Sequence, residues 1–190
     1  MQTQDTRSTL LTKAEAIVRG RGYSGFSYAD LAEAVGIRKA SIHHHFRTKT
    51  DLALALLEAY SARYADALDG ILAESQDGVA RILAYSDLYL GGVEQGLGCL
   101  CAALASEHDT LPPQLRENLG RFFAEHIGWL TRVLEDGRAN GTVRAEVEPA
   151  SHARMIVATL EGALMMERFV DGPTGFRDTM SALQQGLKPA

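Results

Sequence analysis

Residues 26–52 read FSYADLAEAVGIRKASIHHHFRTKTDL, and this stretch decides the fold. Ser27 stands three residues before Asp30, so its hydroxyl can cap a helix start while the carboxylate meets the positive end of the helix dipole. Leu31, Ala32 and Val35 then recur at helical spacing, and Gly36 follows where a helix C-terminus favours a left-handed residue. A second short helix over 39–45 turns Ile42 and Phe46 inward and leaves Arg38, Lys39, Ser41, His43 and His44 outward. Thr48 and Asp51 repeat the capping signature and open a long helix at Lys49. A helix, a glycine turn and a short basic helix form a helix-turn-helix, whose second helix enters the DNA major groove.

Outward from that stretch the chain stays helical, and an all-α fold of about nine helices is expected. Leu10, Leu11, Ala14, Ile17 and Val18 mark one face of a first helix over 7–21, ended by Gly22. The helix opened at Lys49 runs to about residue 74, roughly 39 Å at ~1.5 Å per residue. Further helices are expected over 79–90, 97–107, 115–139, 149–170 and 176–187, punctuated by glycines 91–98, Pro112-Pro113, Asn140-Gly141 and Gly172-Pro173. Residues 1–50 read as a DNA-binding domain, and residues 51–190 as a helical effector-binding and dimerisation domain.

A net charge of −5 is unexpected for a DNA-binding protein until it is divided. Residues 1–50 carry eight basic and four acidic side chains, a net +4, and the remainder carries −9. The positive end attracts phosphate and the acidic remainder discourages non-specific coating of DNA. No apolar run reaches the length of a membrane span, and the N-terminus lacks the apolar core of a signal peptide. A cytoplasmic protein without membrane partners is expected. Two cysteines at Cys99 and Cys101 make no disulfide framework, in keeping with a reducing compartment.

The pattern Leu31-Ala32-x-x-x-Gly36, Lys39-Ala40-Ser41-Ile42-His43-x-His45-Phe46 and Lys49-x-x-Leu52 resembles the DNA-binding domain of the TetR/AcrR family of bacterial repressors. The resemblance covers about residues 7–58. It implies a homodimer on double-stranded operator DNA, a small-molecule effector, no cofactor and no enzymatic activity. It also places Ser27, Arg38, Lys39, Ala40, Ser41, His43, His44 and Lys49 at the DNA. Ser27 and Lys49 stand at helix starts suited to phosphate, and residues 38–41 where a recognition helix meets base edges. The chain departs from the family at His43, where tyrosine is usual. His43, His44 and His45 do not form a metal site, since successive helical side chains point ~100° apart.

Two further regions invite a role. Cys99 follows Gly98 at an expected helix start, where a dipole activates a thiol. Here the sequence resembles a subgroup of the family that includes the N-ethylmaleimide-responsive repressor, which implies an electrophile sensor at Cys99. Tyr85, Tyr89, Phe123, His126, Trp129 and Met165 are candidate lining of an effector cavity. The penultimate and last helices are apolar beyond a single stripe. Met155, Thr159, Gly162, Met166, Phe169, Met180 and Leu183 resemble the family's dimer interface. The alternative is a small cytosolic thiol-dependent redox enzyme. The sequence lacks Cys-x-x-Cys, a glycine-rich phosphate loop, His-Glu-x-x-His and a nucleophile elbow.

Overall fold

The computed structural model describes residues 2–189, with side chains from residue 6 onward. Every regular element among the described residues is a helix. In order they are α1 (Gln2–Arg21), α2 (Tyr28–Val35), α3 (Lys39–His45), α4 (Lys49–Glu74), α5 (Gly78–Glu94), α6 (Leu100–Ala105), α7 (Pro113–Ala139), α8 (Pro149–Met166) and α9 (Pro173–Leu187).

The periodicity locates α3 and α4 correctly, and the departures elsewhere have local causes. α1 starts at Gln2 rather than residue 7. Its first residues are polar but include no proline or glycine, so nothing stops the helix that periodicity alone cannot see. α5 continues through Gly91 and Gly92 to Glu94, and the left-handed turn comes at Gly96, φ 64°. A glycine inside a helix weakens it without ending it. α6 is correspondingly shorter than 97–107. α8 stops at Met166 rather than residue 170, and the chain turns through Gly172, φ 58°. The buried Glu167 carboxylate accepts from the Asp171 amide at 3.3 Å inside that turn.

The chain divides into two compact units. The first comprises Met1–Arg63 and Leu100–Arg121. In it α1 packs on α2 and α6, and α2 packs on α3. The Ser27 hydroxyl accepts from the Ala29 and Asp30 amides at 3.2 and 3.4 Å, and Asp30 accepts from the Ser27 amide at 2.9 Å, closing the capping box. Gly36 ends α2 at φ 74°, as its position predicts. Leu10, Leu31, Ile42, Leu52 and Leu100 are wholly buried. Each such side chain contributes about 1.5–3 kcal/mol relative to exposure.

The second unit comprises Tyr64–Cys99 and Phe122–Ala190, with α5, α8 and α9 packed on one another. Arg81, 5% exposed, closes the C-terminus of α4. It donates from Nε to the Ser75 carbonyl at 2.6 Å and from Nη2 to the Leu72 carbonyl at 3.1 Å. Those carbonyls have no partner within the helix, and a guanidinium satisfies two at once. α5 meets α7 at Gly78 and Gly137, where a Cβ on Gly78 would stand 2.9 Å from the Gly137 Cα. Only glycines allow that approach.

Candidate nucleic-acid interface and buried thiol cluster

In the first unit, α3 hangs from the core by Ile42, with Phe46 just beyond it, 0% and 3% exposed. The 3.6-residue repeat therefore turns its other side outward. Arg38, Lys39, Ala40, Ser41, His43 and His44 are all exposed. Tyr28 braces the loop after α3 by donating to the Phe46 and Thr48 carbonyls at 3.0 and 2.6 Å. Burial, with the Asp51 carboxylate beside it, pushes the Tyr28 phenol up to about 12, so it remains a donor. The His43 ring packs edge-on against Tyr28, centroids 4.8 Å apart, with Nδ1 3.2 Å from the Arg47 carbonyl. That Nδ1–H donates to the carbonyl, which leaves Nε2 as the outer nitrogen.

Two expected phosphate contacts have partners of their own. The Ser27 hydroxyl donates to the Asp30 carboxylate while accepting from the cap amides, so the cap already occupies it. Lys49 is half-buried, its Nζ 4.5 Å from the Tyr23 ring centroid and 5.3 Å from that of Phe26. Burial pulls its ammonium below the usual lysine range, against the pull of Glu107 and Asp30. Glu107, just past α6, accepts from the Ser24 amide at 2.9 and 3.2 Å. The segment that follows Cys99 therefore ends on the α1–α2 turn, beside Lys49.

In the second unit, α5 and α7 assemble a buried polar cluster. The Tyr85 hydroxyl lies 3.0 Å from that of Tyr89 and 2.8 Å from His126 Nδ1. Both phenols are raised above the ordinary tyrosine range by burial. Burial also lowers His126 to about 4, so the ring is neutral at pH 7. Trp129 stacks on Tyr85, centroids 5.6 Å and planes 27° apart, while Phe122 and Tyr64 lie 4.1 and 5.2 Å from the His126 ring. Cys99, 3% exposed and in no disulfide, is the residue immediately before α6. Against it lies the Glu161 carboxyl of α8, raised to about 9 by burial first and then by the thiol. Neither Glu161 oxygen has a well-formed hydrogen bond, nor does Trp129 Nε1, and all three atoms are shut from solvent.

Residues 10–56 match the pattern of bacterial regulatory proteins of the tetR family, and residues 78–183 match the tetracyclin repressor-like C-terminal domain. The chain belongs to the TetR family. Among its relatives is the HTH-type transcriptional repressor NemR of Escherichia coli K12, 31% identical over 163 residues, 84% of this chain and 82% of NemR. A TetR-family regulator from Agrobacterium tumefaciens superposes with a TM-score of 0.93 at 30% identity, covering 98% of this chain and all of that one. The reduced form of E. coli NemR superposes with a TM-score of 0.85 at 28% identity, covering 98% and 99%.

In this TetR-family chain the cavity candidates separate. Tyr85, Tyr89, His126 and Trp129 come together, and Phe123 is half-buried at the edge of Phe122. Met165 does not join them. It is 56% exposed on α8, so the expectation that it lines an interior cavity is corrected. Of the candidate dimer residues, Met155, Met166 and Phe169 are 48%, 54% and 84% exposed. Gly162 is exposed, and Thr159 and Leu183 are intermediate. Met180 is 7% exposed, so most of its side chain packs inside its own chain. The sequence reading missed Glu161 and Tyr64 in the thiol cluster. Glu161 left a signal, a lone carboxylate in the apolar run Thr159-Leu160-Glu161-Gly162-Ala163-Leu164.

Among the described residues no helix is long and apolar enough to cross a membrane.

Proposed function

We propose that this TetR-family regulator is a homodimeric repressor that leaves its operator when a small electrophile modifies Cys99. The carrying observation is the position of that thiol. It directly precedes α6, and Glu107 beyond α6 holds the Ser24 amide beside Lys49. An adduct adds volume to a packed interior, which responds by rearranging more readily than by stretching. Movement of α6 then loosens the turn that seats α2 and α3. The relative NemR, a transcriptional repressor, supports the direction of control. Arg38, Lys39, Ala40, Ser41, His43 and His44 read the duplex in this proposal, two copies of α3 entering successive major grooves.

Labelling of the folded protein with N-ethylmaleimide and mapping by mass spectrometry is expected to find Cys99 modified before Cys101, with release of operator DNA. Cys99→Ser keeps operator affinity and loses the response, and Cys101→Ser keeps both. Equal labelling of both thiols only on unfolding would return Cys99 to a packing role.

Lys49→Ala is expected to weaken binding to all duplexes alike. Plots of log affinity against log salt should keep their slope, because the ammonium is committed to the Tyr23 and Phe26 rings and its loss acts through the packing of the α1–α2 turn. A loss confined to one operator base pair would show that Lys49 reads sequence instead.

A further inference from the structure

Among the described residues, three polar groups of the second unit are shut from solvent without a well-formed hydrogen bond: Trp129 Nε1, the Glu161 carboxyl and Arg144 Nε, the last ion-paired with Glu146 at 3.4 Å. Trp129 is only 4% exposed, and its indole lies on Tyr85, whose hydroxyl joins the chain to Tyr89 and His126. A buried indole N–H left without an acceptor costs free energy that a ligand oxygen would recover. The thiol of Cys99 is the group that lies against the Glu161 carboxyl. Cys99 and Glu161 come from distant parts of the chain, the residue before α6 and the interior of α8.

We propose that Glu161 is the acid–base residue of the Cys99 reaction, handing its proton to the oxygen of a small uncharged carbonyl electrophile while taking the proton of the attacking thiol. This inference rests on the thiol reading of the preceding subsection. With an α,β-unsaturated carbonyl, the sulfur bonds to the β-carbon and the carbon–carbon π pair moves to form an enol. The carbonyl oxygen receives the proton from one Glu161 oxygen, and the thiol proton passes to the other. The carboxyl ends neutral, as it began, and the enol then returns to the carbonyl form by exchange with water. With an aldehyde or dicarbonyl, the same transfer yields a hemithioacetal.

The two tyrosines beside the pair, and the histidine that Tyr85 touches, support a transfer without net charge. Tyr85 and Tyr89 on α5 are raised by burial and His126 on α7 is lowered to about 4, so each is neutral at pH 7. Glu161 itself, held up to about 9, carries the proton it must donate. A separated thiolate would find no cation among these neighbours, and a concerted hand-off avoids forming one. The same neutrality selects against ionic reagents, and the 3% exposure of Cys99 selects for small ones.

The test compares wild type and Glu161→Gln, both in the Cys101→Ser background, by the rate of Cys99 modification from pH 6 to 8. The probes are N-ethylmaleimide, which needs a proton at its oxygen, and iodoacetamide, which only expels iodide. Wild type is expected to react with N-ethylmaleimide at a nearly pH-independent rate. Glu161→Gln should react about 10²-fold more slowly at pH 7, within the usual reach of general acid–base catalysis, and speed up about tenfold per pH unit as thiolate forms. Iodoacetamide rates should change by less than about threefold, a contrast that a merely structural role for Glu161 would not produce. Operator binding by the variant checks that it is folded. Equal N-ethylmaleimide rates with one pH profile in both proteins overturn the role of Glu161 and leave the thiol reading standing. A wild-type Cys99 that ignores both reagents in the folded protein overturns the thiol reading and this assignment with it.

Discussion

Glu161→Gln is expected to stabilise the protein by about 3 kcal/mol at pH 7 and by almost nothing at pH 4.5. The carboxyl rises from 4.5 to about 9 on folding, because burial disfavours its charged form. Between those values the folded chain holds a proton that the unfolded chain releases. Stability therefore falls as pH rises through that window, by about 1.4 kcal/mol per pH unit. The amide has no such proton, so its advantage grows with pH. His126 acts in the opposite sense. Its folded value of about 4 lies below the 6.5 of an unburied imidazole, so stability is lost as pH falls from 6.5 to 4. From these two groups the wild-type profile should be level between 4.5 and 6.5 and decline above. Urea unfolding at pH 5, 7 and 8.5 measures the difference. A gap between the two proteins that does not change with pH would show that Glu161 is ionised in the fold.

Gly162→Arg should convert the protein to a monomer and reduce operator affinity about 10²-fold at fixed protein concentration. A Cβ on Gly162 would meet nothing within 4 Å, so a single chain has room for the substitution. Around it α8 and the turn after it expose Met155, Met166, Phe169 and Val170, more apolar surface than scattered single residues. A second copy packed there would close over the arginine and leave it buried without a partner. Such a charge costs about 3–5 kcal/mol, or roughly 10²- to 4 × 10³-fold in dimer dissociation at 1.4 kcal/mol per tenfold. Sedimentation at micromolar concentration and operator titration report the two effects together. A dimer with wild-type affinity would place the interface elsewhere.

The features legible in the sequence are those set by neighbours three or four residues apart. Ser27 with Asp30, Gly36 after Val35 and the inward pair Ile42 and Phe46 mark the helix-turn-helix because caps and helical faces are local. The same locality fixed the start of α4, where Thr48 and Asp51 exchange cap hydrogen bonds. Helix ends set by what the chain meets later were misjudged. α8 stops at Met166 because Glu167 folds into the turn against α9, where a Cβ on Gly175 would stand 2.1 Å from its carboxylate.

By itself the sequence determined the helical class, the helix-turn-helix and its basic outer face, because spacing alone decides which side chains share a helix face. Tertiary structure decided which faces are covered. Met165 and Met180 are alike in chemistry, and only packing makes one 56% and the other 7% exposed. Packing alone turned the Lys49 ammonium onto the Tyr23 and Phe26 rings and set Glu107 against the Ser24 amide. It also brought the Glu161 carboxyl against the Cys99 thiol, since contact between distant residues depends on how helices dock and leaves no periodic trace in the chain.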